Sequence, residues 1–92
     1  MARPQKEEPS AGIAEENHRL EEEISRLNGI TDAAEKRQAA ERLLGQVNAF
    51  LARLESCGDD PGCRAAIPLN TRRRQALELV LRGLDVIDTL RR

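Results

Sequence analysis

The sequence predicts an all-α protein: an antiparallel helical hairpin or three-helix bundle with coiled-coil-like packing and a disordered N-terminal tail. Apolar residues make up 39% of the 92 residues, yet the chain contains one Phe and neither Trp nor Tyr. An aliphatic core suits helices packed side by side, whereas strands favour β-branched and aromatic residues. A chain of this length forms one domain with a single modest core.

Charge is high and balanced, with 15 Lys and Arg residues against 16 Asp and Glu residues. The chain therefore lacks the positive field that nucleic-acid-binding proteins usually carry.

No segment has the apolar run of a signal peptide or a membrane span, so the predicted location is cytoplasmic, with reduced thiols. Most basic residues are Arg, a bias that indicates a GC-rich coding sequence and a bacterial or phage source.

The N-terminal part is predicted to be a tail followed by a first helix. Residues 1–12 contain two prolines and no periodic apolar pattern, which predicts a disordered tail. The rest, 13–92, is predicted to be a single helical domain. The first helix is predicted over about 13–28, because its apolar residues recur at steps of seven, four and three: Ile13, Leu20, Ile24 and Leu27.

The segment Asn28–Asp32 predicts a break between the first two helices. Asn28 and Gly29 favour a helix end, and Asp32 with Glu35 has the spacing of a capping box. One continuous helix with a local kink is the alternative. The second helix, about 32–56, carries the strongest pattern of the chain, with steps of four and three: Ala33, Arg37, Ala40, Leu44, Val47, Leu51 and Leu54.

A loop is predicted over 57–70, with a possible short helix over 61–67. Asp60 and Pro61 suit an N-cap and a first helical residue, and Pro68 is expected to end that short helix. Asn70 or Thr71 is then expected to cap a last helix over about 71–90. Its apolar residues form more than one narrow stripe, so we expect this helix to contact neighbours on two sides.

This surplus of apolar helix surface predicts a non-enzymatic protein–protein interaction module: a small helical adaptor, a chaperone-like module or an assembly subunit. The partner is another protein or a second copy, with a homodimer favoured, and no membrane is expected. The predicted partner-binding residues are Leu20, Ile24, Leu27, Leu44, Val47, Leu51, Leu54, Leu77, Leu81, Leu84 and Ile87.

The alternative function is that of an accessory regulator that contacts nucleic acid through Arg72, Arg73 and Arg74. Positive charge at the start of the last helix would oppose the helix dipole, and a disfavoured cluster can serve to bind an anion. Neutralisation by Glu55, Asp59 and Asp60 is the competing interpretation.

Cys57 and Cys63 leave three states open: free thiols, a disulfide across a short loop, or a pair of metal-binding thiolates. Together with its flanks this region is similar to the tail of MerR-type metal-responsive regulators, in which a dimerisation helix ends in a cysteine-bearing loop. The similarity covers about a quarter of the chain, the cysteine spacing differs, and no winged-helix region is present. It implies thiolate metal binding as a third function.

Catalytic machinery is not expected. The chain has one histidine, His18, which stands among glutamates in the first helix and is interpreted as a solvated surface residue. The sequence contains neither a phosphate-binding loop nor a metal-binding helix motif. We therefore predict that the protein is not an enzyme and has no cofactor.

Overall fold

A computed structural model describes residues 12–57 and 59–91 of the chain. These residues form three helices, α1 (Ile13–Leu27), α2 (Ala33–Ser56) and α3 (Pro61–Arg91), which confirms the predicted all-α fold. Apart from Gly12, which precedes α1, the predicted disordered tail lies outside the described residues. No helix in the described part of the chain combines the length and apolar character needed to cross a membrane.

The predicted break between α1 and α2 is confirmed. The amide of Gly29 donates to the carbonyl of Arg26 at 2.9 Å, which closes the last turn of α1. Asp32 then caps α2, because its Oδ2 accepts a 2.9 Å hydrogen bond from the amide of Glu35. This cap satisfies one of the free donors at the helix start. The alternative of one continuous helix is therefore wrong.

The predicted loop over 57–70 is shorter than expected, because α3 begins at Pro61 and continues to Arg91. Asp60 caps it as predicted: its Oδ2 accepts from the amide of Cys63 at 3.1 Å, and its carbonyl accepts from the amide of Arg64 at 3.0 Å. The short helix expected over 61–67 is the first part of α3, and the cap expected at Asn70 or Thr71 does not exist.

Pro68 does not end the helix, although it removes the donor that would bond the carbonyl of Arg64. Both residues are exposed, so water can hydrate that carbonyl. The helix continues through the proline because one face of α3 is buried in the core both before and after Pro68 along the sequence. The buried residues of α3 are Cys63, Ala66, Asn70 and Leu77.

The helices α2 and α3 form an antiparallel hairpin. At its closed end Cys57 and Cys63 are joined by a disulfide, with a Cα–Cα distance of 6.2 Å. At its open end Arg37 Nη1 lies 2.6 Å from Asp85 Oδ1. The helix α1 folds back along the hairpin, and its Arg19 Nη1 donates to Gln46 Oε1 of α2 at 3.3 Å.

The core lies between these three helices. On α2 Leu43 and Phe50, which were expected to widen the apolar stripe on one side, are 1% and 2% exposed, whereas Leu44 is only half-buried. The buried apolar residues are Ile13, Leu20, Leu27, Ala39, Ala40, Leu43, Val47, Phe50, Leu51, Leu54, Cys63, Ala66 and Leu77.

Candidate partner-binding surface

Most of the predicted partner-binding residues lie inside the protein's own core. Because α1 folds back on the hairpin, it covers apolar helix faces for which the sequence indicated no neighbour within the chain. Six of these residues are at most 5% exposed and are not available to a partner in this structure: Leu20, Leu27, Val47, Leu51, Leu54 and Leu77. We correct the predicted surface accordingly.

The other predicted residues lie at the edge of the core. Ile24, Leu44 and Leu81 are partly buried against it, and Leu84 is half-buried. Of the eleven predicted residues, Ile87 alone is an exposed large apolar residue in the described chain, with 46% of its surface accessible. It lies in the C-terminal part of α3, fourteen residues beyond Arg73, which bonds to α1.

A second stripe on α3 is exposed along the helix. Leu79, Val86 and Leu90 are 62%, 53% and 80% exposed. With two small residues and one arginine they follow alternating steps of four and three, the spacing of a coiled-coil seam. We call this surface the outer stripe, and its residues are Arg72, Ala76, Leu79, Gly83, Val86 and Leu90.

The outer stripe lies beside the core-facing stripe of α3, one residue before it along the sequence. One residue corresponds to about 100° of rotation in an α-helix, so the outer stripe occupies the flank of the hairpin. Leu69, which is 43% exposed, continues the spacing towards the disulfide end. The helix thus has two apolar sides, of which this chain's core covers one.

Gly83 stands in the middle of the outer stripe, and nothing in the described chain explains a glycine there. A Cβ atom built at Gly83 meets no neighbouring atom within 4 Å. Its φ angle is not positive, so the backbone does not require glycine either. An exposed glycine in a helix interior is about 1 kcal/mol less favourable than alanine.

The three arginines of the alternative function do not stand at a helix start, because α3 begins at Pro61. Arg73 points into the protein: its Nη1 donates to Asn17 Oδ1 at 3.0 Å and to Asn70 Oδ1 at 3.1 Å. Its Nη2 lies 3.8 Å from Glu21 Oε1 of α1. Desolvation by burial lowers the pKa of Arg73, and the Glu21 carboxylate partly opposes this shift.

The arginine cluster is therefore divided. The Arg73 side chain is only 11% exposed and holds α1 against α3. Arg72 is exposed and lies in the outer stripe, and Arg74 is half-buried. The expected neutralisation is also different: Asp59 lies 3.6 Å from Arg64, while Glu21 of α1 pairs with Arg73. The three side chains do not form one exposed basic patch.

The cysteine pair is a disulfide, one of the three states that the sequence leaves open. With their sulfur atoms bonded to each other, Cys57 and Cys63 offer no thiolates to a metal ion. Within the described residues no group of three or more His, Cys, Asp and Glu side chains is placed to hold one. His18 lies on the surface of α1, with its Nε2 atom 3.1 Å from Glu22 Oε2.

The outer stripe was visible in the sequence as the excess of apolar residues in the last helix. What the pattern could not decide was which of two adjacent stripes faces the core. The residues that reasoning from sequence left out of the predicted surface are Leu69, Leu79, Val86 and Leu90. Their steps of three and four around Ala76 and Gly83 are the signal that identifies them.

No protein-family model, curated protein or solved structure matches this chain. Its function is therefore inferred from its own residues.

Proposed function

We propose that this protein is a non-enzymatic protein–protein interaction module that binds another helix along the outer stripe of α3. The observation that carries the proposal is the exposure of Leu79, Val86 and Leu90 in one coiled-coil-like row. Single exposed apolar residues are ordinary on protein surfaces, but a contiguous row of them marks an interaction site. The adaptor, chaperone-like and assembly roles predicted from the sequence all use such a surface.

The chemistry of the surface favours a helix with an apolar row of its own as the partner. Alternating steps of four and three place side chains where those of a second helix can pack between them. On the side away from the core-facing stripe the residues that flank the row are polar: Gln75, Glu78, Arg82 and Thr89 are all exposed. An apolar row that is bordered by polar residues on its solvent side is a usual arrangement for a helix that docks on a helix. A homodimer is the favoured form.

A comparison of binding by three matched proteins tests this proposal. The wild-type protein, Leu79→Glu and Ala52→Glu are each used to capture binding chains from lysate of the source cells. Ala52 is an exposed residue of α2, so its change adds the same charge away from the outer stripe. A chain retained by the wild type and Ala52→Glu but lost from Leu79→Glu supports the proposal. Capture that Leu79→Glu does not alter contradicts it.

The disulfide bears on where the protein acts. Disulfides persist in oxidising compartments and are rare in the cytoplasm. The bond between Cys57 and Cys63 therefore favours an oxidising compartment over the cytoplasm predicted from the sequence. Alkylation of the protein directly in cells, followed by mass measurement, reports the redox state: two blocked thiols would favour the cytoplasm instead.

A further inference from the structure

Small and large side chains alternate along the outer stripe. Ala76 and Gly83 are the small residues, and Leu79 and Val86 are the large residues that follow each of them by three positions. All four positions are exposed. A partner helix that fills this surface must place large side chains over the small residues and small side chains over the large ones.

We infer that the partner is a second copy of this chain, whose α3 packs antiparallel to the first about a two-fold axis near Leu81. In this register Ala76 of one copy lies opposite Val86 of the second copy, and Leu79 lies opposite Gly83. The two-fold axis repeats both pairs in reverse. Every one of these layers joins a small residue to a large one, so the outer stripe is complementary to itself. This inference rests on the proposed function.

Parallel pairing of the same two stripes would be poorly packed. It would set Leu79 against Leu79 and Gly83 against Gly83, so that crowded layers would alternate with empty ones. Empty space in a packed interface loses contacts, and crowding forces side chains out of their preferred rotamers. The antiparallel register avoids both. It also gives Gly83 a function that the monomer does not, because another chain can approach the open space around it.

Arg72, the one charged residue of the outer stripe, fits the same register. It lies opposite Leu90 of the second copy, in the last turn of that copy's α3. The aliphatic part of an arginine can cover a leucine while its guanidinium stays in water. A positive charge is also favourable beside the carbonyl groups at a helix C-terminus. A charge that would be costly in the centre of the row thus lies at both ends of the pair.

The chain's own N-terminal segment is a poor alternative occupant. Residues 1–11 contain one large aliphatic side chain, that of Met1, whereas the outer stripe needs a row of them. One helix from each copy also makes a small interface, below about 1,200 Å² in total. The resulting dimer is therefore reversible and depends on protein concentration.

Sedimentation equilibrium of the full, oxidised chain tests the inference. The wild type and the control Ala52→Glu should show the same monomer–dimer equilibrium, and Leu79→Glu should remain monomeric. Gly83→Leu should weaken the dimer at least about tenfold, a change of about 1.4 kcal/mol, because its new side chain meets Leu79 of the second copy. Combining it with Leu79→Gly should restore the dimer, since the layer then holds the same glycine and leucine with their positions exchanged. Circular dichroism confirms that each variant remains helical.

Two results of this experiment would overturn the inference. Stronger association of Gly83→Leu would mean that any added apolar surface promotes contact, without a defined register. A wild type that stays monomeric at all concentrations would exclude the second copy as partner. That outcome leaves the proposed function intact if the capture experiment finds another chain that depends on Leu79. If the wild type is dimeric and the capture experiment finds no other chain, the outer stripe serves self-association alone.

Oxidative cross-linking tests the orientation. Gln75 and Thr89 are exposed and lie on the same flank of the outer stripe. The antiparallel register brings Gln75 of one copy close to Thr89 of the second. A mixture of Gln75→Cys and Thr89→Cys should therefore form a disulfide-linked pair of the two different variants. Cross-linking of Thr89→Cys to itself, without the mixed pair, would overturn the antiparallel register.

Discussion

Asn70 Nδ2 of α3 donates a 2.9 Å hydrogen bond to Asn17 Oδ1 of α1 across the interface between the two helices. Asn70 is fully buried, and its Nδ2 also donates to the carbonyl of Ala66 at 2.9 Å. Arg73 completes the group by donating to both asparagine oxygens. Among the described residues no buried side-chain polar atom lacks a partner. The network therefore fixes one register of α1 on the hairpin, since a shift of either helix would leave buried polar groups unbonded.

Removal of the shared acceptor should weaken the docking of α1. Asn17→Ala takes away the oxygen that accepts from both Asn70 and Arg73. A buried donor without its partner costs about 1–3 kcal/mol, so we expect the free energy of unfolding to fall by about that amount. Urea denaturation measures the change. Asn48→Ala, at an exposed position of α2, is the control and should alter stability by less than about 0.5 kcal/mol. Equal effects of the two changes would contradict the structural role of Asn17.

Reduction of the disulfide should destabilise the closed end of the hairpin. The bond between Cys57 and Cys63 closes a short loop, for which the chain-entropy model gives about 2 kcal/mol of stabilisation. Pro68 interrupts the hydrogen bonding of α3 just beyond, so the amides of 63–67 should exchange with solvent faster once the bond is reduced. Urea denaturation and hydrogen exchange with and without reductant measure the two effects. The variant with Cys57→Ala and Cys63→Ala should not respond to reductant. Unchanged stability of the reduced wild type would show that packing alone holds this end.

The sequence allowed the fold class, the break at Asn28–Asp32 and the cap at Asp60 to be predicted, because caps and periodicity are local properties. Because of Pro68 the start of the last helix was predicted too late in the chain. Local propensity opposes a continuous helix at a proline, and burial of one long face of α3 overrides that propensity. The candidate surface was harder to place. Leu77 and Leu79 look alike in sequence, and only the docking of α1 and α2 decides that Leu77 is 1% exposed and Leu79 62% exposed.

Replacement of Pro68 by alanine should stabilise the protein. Pro68→Ala restores an amide that can bond the carbonyl of Arg64, and both positions are exposed, so the change disturbs no packing. A proline inside a helix is about 3 kcal/mol less favourable than alanine, and proline also restricts the unfolded chain, so we expect a net gain of about 1–2 kcal/mol. Thermal and urea unfolding measure the gain. A loss of stability would indicate that the backbone restriction imposed by Pro68 helps to hold α3 against α1.

Gly83→Ala should separate the stability of the monomer from its self-association. In the monomer the added methyl group meets open space, and alanine is favoured over glycine in a helix by about 1 kcal/mol, so the free energy of unfolding should rise by about that amount. In the antiparallel pair the same methyl group pushes against Leu79 of the second copy, so the dimer should weaken by a few-fold. Urea denaturation at low protein concentration measures the first effect, and sedimentation equilibrium measures the second.

Gly45→Ala is the control, at another exposed helical glycine with open space around it, and it should raise stability without changing association. If both variants raise stability and neither weakens the dimer, Gly83 is not at the contact and the antiparallel register is wrong.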